Sequence, residues 1–164
     1  MKSISRVAAL LVLIAFGTEV TGIASIGSRR AAYVGGTAVA GATSPIDGYL
    51  ETADEHALVF DADERASTDL AIRIPYANVI DLEYGQKEGR RVGAAIGYSI
   101  VIGPAGLLVL LSKKRRHFVT VAYMADNGTT QVAVFEIGKD IVRTTLAIIQ
   151  ARSGKQVAYQ GGNR

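Results

Sequence analysis

A chain of 164 residues without cysteine excludes disulfides, thiolate metal sites and cysteine nucleophiles, and with only His56 and His117 it excludes a histidine-rich metal centre. Apolar residues make up 49% and the mean hydropathy is +0.23, an excess that comes largely from residues 7–16 and 92–111; the remainder has room for one ordinary domain. The net charge of +3 hides a segregation, because residues 47–88 hold eleven acids and three bases (net −8) whereas 89–116 hold six bases and no acid.

The N-terminus has the parts of an export signal: Lys2 and Arg6, then an apolar core over 7–16, then small residues at Gly22 and Ala24. Residues 1–24 are expected to be a signal peptide cut after Ala24. The competing assignment is an uncleaved anchor over 7–26, which Glu19 disfavours; export to the cell envelope follows from either. Residues 25–32 are expected to be a linker. A short strand is expected over 33–39, with Gly35 and Gly36 permitting a bulge or a close backbone approach. Neither GxGxxG nor GxxxxGK[ST] occurs there, which argues against a phosphate-cradling loop.

Ser44-Pro45 and Asp47-Gly48 mark turns. From 48 to 86 the pattern predicts short strands around 58–60, 70–74 and 79–84, where apolar and polar positions alternate. Residues 61–65 are expected to form a hairpin-like acidic loop. They do not make an EF-hand, since the places that need Gly and Glu hold Ala66 and Ile72. Asp54 and Glu55 beside His56 belong to another acidic loop.

Residues 92–111, VGAAIGYSIVIGPAGLLVLL, carry no charge over twenty positions, about the length a bilayer-crossing helix needs. Three arrangements compete. A straight span is supported by length and by Gly93 and Gly97, whose spacing lets membrane helices approach, but it would divide the domain across the membrane. A membrane-dipping hairpin is favoured by Gly103-Pro104-Ala105-Gly106, which splits the run into arms of eleven and five residues with both ends on one side. A buried piece of the fold is the third. The flanking Arg90, Arg91, Lys113, Lys114, Arg115 and Arg116 are the expected lipid-contacting residues, since bases in that position snorkel to anionic headgroups. Nucleic acid is not expected, because no aromatic residues interleave these bases.

A hairpin is expected from 117–124 and 129–137, with Asp126-Asn127-Gly128 supplying the positive φ of a tight turn. His117 stands at the start of its first strand as a surface histidine. Over 139–152 the period changes to 3.6, with Ile141, Val142, Leu146, Ile148 and Ile149 on one face, Asp140 placed to cap the helix or complement its dipole, and Gly154 as a stop. Residues 154–164 are expected to be a flexible tail.

The segments YVGGTAVA, LAIRIPYANVIDLEYG, HFVTVAY…TTQVAVFEI and IVRTTLAIIQ, spread over 33–153, resemble pleckstrin-homology-like domains of the GRAM and bacterial types. Ile74-Pro75-Tyr76-Ala77-Asn78-Val79 is similar to the I-P-Y-x-x-I stretch of such domains. The resemblance implies an α+β fold: a small antiparallel β-barrel or sandwich closed by one C-terminal amphipathic helix, here with a membrane-anchoring or spanning (transmembrane) insertion at 92–111. It also implies binding of lipid headgroups or peptides, with no catalysis and no cofactor.

The expected function is a non-enzymatic, membrane-associated binding or scaffolding module of the envelope. Its partners are anionic lipid and possible protein, including a second copy of the chain. The alternatives are a structural membrane subunit that oligomerises through Gly93 and Gly97, and an envelope enzyme. The enzyme lacks a recognisable nucleophile, base and orienter.

Overall fold

The structure, a computed structural model, describes residues 29–42, 44–65, 70–86 and 116–160. Strands β1 (Arg30–Gly36), β2 (Ile46–Glu51), β3 (Ala57–Ala62) and β4 (Ala71–Pro75) lead through a 3-10 turn (Tyr76–Asn78) to β5 (Val79–Gln86). Then come β6 (His117–Met124), β7 (Thr130–Ile137), helix α1 (Val142–Ser153) and β8 (Val157–Gln160). They form one eight-stranded sheet in the order β4-β3-β2-β1-β7-β6-β5-β8. Every pairing is antiparallel except β5 with β8, which is parallel.

This corrects the expected fold class. The sheet is mixed and open, with β4 and β8 at opposite margins, and does not close into a barrel. Nor does the helix end the chain. Gly154 adopts φ 71° and its N–H caps Gln150, so the chain turns out of α1 and lays Val157–Gln160 along the free edge of β5. Within the expected tail, Val157–Gln160 is thus a strand, because Val157 and Tyr159 alternate with Ala158 and β5 offers an unpaired ladder.

The transmembrane expectation is also corrected. Among the described residues no helix is long and apolar enough to cross a membrane. Residues 92–111, on which the expectation fell, lie outside the described residues. A single crossing there would place β5 and β6 on opposite sides of the bilayer, yet these strands pair along seven registered positions from Val79↔Tyr123 to Gln86↔His117.

Burial follows from the strand patterns. In β2 and β4 buried and exposed positions alternate, as expected for strands with one face in solvent, whereas the interiors of β6 and β7 are buried on both faces. One face carries the main core, including Tyr33, Phe60, Leu82, Val119 and Phe135. Helix α1 covers it with Val142, Thr145, Leu146 and Ile149 at i, i+3, i+4 and i+7. The other face carries a second cluster of Val34, Phe118, Ala122, Val132 and Val134. Ile141 stands at the helix N-cap without a side-chain hydrogen bond, so Asp140 does not cap; instead Ile141 and Val142 N–H donate to the Gly138 carbonyl.

The paired glycines of β1 work as anticipated. The ladder with β7 shifts register between Tyr33 and Gly35, and the Val132 carbonyl accepts N–H bonds from Thr37 at 2.8 Å and Ala38 at 3.1 Å. Gly36 has φ +120°, and a Cβ there would run into that same carbonyl. Gly36→Ala is expected to cost about 2–3 kcal/mol, read as a lower urea midpoint at unchanged slope.

Candidate functional site

The register gathers the ends of distant segments at one place. Ala31 of β1 pairs with Ile137 of β7, Ile137 with His117 of β6, and His117 with Gln86 of β5, while Gln160 of β8 lies against Gly85. The start of β1, the end of β5, the start of β6 and the ends of β7 and β8 therefore share one end of the sheet. Gln86 and His117, the strand residues that bracket residues 87–116, sit directly opposite each other, about 5 Å apart between Cα atoms. Met124 and the Asp126-Asn127-Gly128 turn occupy the other end of β6 and β7. There Gly128 has φ 76° and the Asn127 Oδ1 accepts the N–H of Thr129 at 3.0 Å.

Of the expected lipid-contacting bases, Arg90, Arg91, Lys113, Lys114 and Arg115 lie outside the described residues. Arg116 is described and half-buried. Its Nη1 donates to both carboxylate oxygens of Glu136, at 2.8 and 2.7 Å. Two charge-assisted bonds hold this guanidinium on β7, so Arg116 fastens the start of β6 to its neighbour.

On the opposite face of the sheet, the face of Ile137 and the main core, stands an aromatic group that the residue pattern did not announce. The Tyr84 hydroxyl lies 2.7 Å from His117 Nδ1, and Gln86 Nε2 donates to the same hydroxyl at 2.9 Å. Both contacts are satisfied when Tyr84 donates to Nδ1 and His117 carries its proton on Nε2. The two rings stack with centroids 6.1 Å apart at 19°, and Tyr159 meets Tyr84 edge-on at 5.7 Å. Tyr159 is 65% exposed, the most exposed large apolar side chain among the described residues. Tyrosines whose rings pack and whose hydroxyls reach water are the side chains that settle at a membrane surface. The available signal was the alternation of Val157 and Tyr159 within a stretch that otherwise reads as polar tail.

The acidic loop before β3 is a structural turn. Asp54 Oδ1 accepts the N–H of His56 at 2.8 Å and of Ala57 at 3.1 Å, and its Oδ2 pairs with Arg73 at 2.6 Å. The His56 N–H first, then the Arg73 guanidinium, hold the Asp54 carboxyl below its usual range. Asp63 is lowered in the same direction, first by the N–H of Arg65. A carboxylate with a depressed folded-state pKa contributes stability above the unfolded value of ~3.9 and loses it as the pH falls through the folded value. The urea midpoint should therefore drop with acidification below about pH 4, and Asp54→Asn should make that drop smaller. Among the described residues no three His, Asp or Glu side chains are grouped to hold a metal ion. No protein-family model and no curated protein matches the chain.

Proposed function

We propose that this protein is a non-enzymatic, exported, membrane-associated binding or scaffolding module of the cell envelope, and that it meets anionic lipid with the sheet end formed by Gln86, His117 and Tyr159. The observation that carries the reading is the Gln86↔His117 pairing. It sets side by side the two strand ends from which the sequence runs into the apolar, twice-basic stretch that contains Arg90, Arg91, Lys113, Lys114 and Arg115. Clustered bases beside an apolar run and amphipathic tyrosines are the combination that anionic bilayer surfaces attract.

The chain has no Trp, so a single introduced Trp is an unambiguous reporter. Tyr159→Trp is expected to shift its emission to the blue on addition of phosphatidylglycerol vesicles, whereas Met124→Trp, 40% exposed at the opposite end, is expected not to respond. Silence from both reporters would remove the membrane reading. A response from Met124→Trp alone would place the contact at the wrong end.

A further inference from the structure

The same end of the sheet carries a cleft of about 350 Å³ whose wall includes Arg30, Asp47, Gly48, Asp63, Arg116 and Glu136. Its charges are of both signs and only partly matched. Arg116 and Glu136 close on each other through two hydrogen bonds. Asp63 accepts the Arg65 N–H at 3.1 Å and the Tyr49 hydroxyl at 3.4 Å, which keeps it ionised and fixed. Arg30 lies over the Tyr49 ring, its guanidinium carbon 5.9 Å from the centroid. Among the described residues, neither the Arg30 guanidinium nor the Asp47 carboxylate enters an ion pair.

Register places these two opposite charges side by side without joining them. Arg30 faces Tyr49, and Ala32 faces Asp47, so Arg30 and Asp47 are diagonal neighbours across β1 and β2. Diagonal Cα atoms are about 7–8 Å apart. Asp63 stands next to Asp47, its N–H donating to the Asp47 carbonyl at 2.9 Å. The wall thus presents a cation held by an aromatic ring and, one residue pair away, two carboxylates. A ligand with a fixed anion and a fixed cation at a short separation satisfies both; a simple anion would leave the carboxylates facing it.

We infer that this cleft binds a phosphate joined by a short linker to a primary ammonium, the chemistry of an ethanolamine-type phospholipid head or of free phosphoethanolamine. Arg30 takes the phosphate through charge-assisted hydrogen bonds, its guanidinium fork matching two phosphate oxygens. Asp47 and Asp63 accept from the ammonium, whose three N–H donors suit carboxylates in a way that a quaternary ammonium, with no donor, does not. The membrane as source of the ligand rests on the function proposed above; the chemistry of the cleft does not.

The test titrates the full chain with phosphoethanolamine, phosphocholine and inorganic phosphate, following the Gly48 and Asp47 amides by NMR, and in parallel with vesicles that hold phosphatidylglycerol constant and exchange phosphatidylcholine for phosphatidylethanolamine. Saturable phosphoethanolamine binding is expected, at least tenfold tighter than phosphocholine. Arg30→Gln and Asp47→Asn are each expected to weaken it tenfold at an unchanged thermal midpoint. A gain in vesicle binding with phosphatidylethanolamine, lost in both variants, identifies the lipid as the source. Binding of soluble phosphoethanolamine without any vesicle binding keeps the inference and sinks the membrane reading. Equal binding of phosphocholine or of inorganic phosphate overturns it, as does no response to phosphoethanolamine in either form.

Discussion

Replacing Arg90, Arg91, Lys113, Lys114 and Arg115 together with Gln is expected to lower the affinity for phosphatidylglycerol vesicles by roughly a thousandfold or more at low salt. Each base near an anionic surface is worth about 1 kcal/mol, so five removed together approach about 5 kcal/mol. Such an effect is electrostatic and falls off within a Debye length, so the native chain should lose most of its binding as salt rises from low to high, while the five-Gln chain should show almost no salt slope. Vesicle sedimentation at two salt concentrations measures both. Arg116 supplies the internal contrast. Its charge is already matched by Glu136, so Arg116→Gln should leave the vesicle affinity nearly unchanged. Binding by the five-Gln chain equal to that of the native protein would show that the bases do not carry the interaction.

Phe135→Ala is expected to cost about 3–5 kcal/mol of folding free energy, a large part of the 5–15 kcal/mol typical of a domain. Phe135 is fully buried on β7, opposite Tyr33 on one side and Val119 on the other. Its ring meets Tyr33 edge-on at 6.0 Å and Phe60 at 5.4 Å and 35°. These contacts tie the β1–β4 part of the sheet to the β5–β7 part. Truncation leaves a cavity that three neighbouring strands cannot close without breaking their ladders, so both the transfer term and the cavity term apply. Thermal unfolding followed by circular dichroism should show a fall of roughly 10–20 °C, and Phe135→Leu should recover most of it. A fall of only a few degrees would mean that the two parts of the sheet are held together elsewhere.

Features whose physics is local were legible in the residues. The hairpin of β6 and β7 was readable because Asn127-Gly128 demands positive φ and both flanks are β-formers. Helix α1 was readable because its apolar positions repeat at 3.6, and it forms over Val142–Ser153, close to the expected 139–152. Asp47-Gly48 misled, being read as a turn although it lies inside β2. Gly48 is needed there because a Cβ would collide with the Asp61 carbonyl and crowd the Phe60 ring, a close approach that only the neighbouring strand creates. β8 was missed for a related reason. Four residues of modest β-propensity become a strand because the edge of β5, some seventy positions earlier, offers them hydrogen bonds.

By itself the sequence determined the chemistry of the candidate site: which bases flank the apolar run, how many charges they bring, and that cysteine and histidine chemistry is absent or sparse. Only the tertiary structure decided which residues of distant segments meet. Pairing of Gln86 with His117 sets side by side the two strand ends that flank residues 87–116, Glu136 engages Arg116 in an ion pair, and Tyr84, His117 and Tyr159 meet across three strands. The physical reason is that charge and hydropathy belong to single residues and short runs, whereas strand register is set by burial of whole faces, to which residues far apart in the chain contribute together.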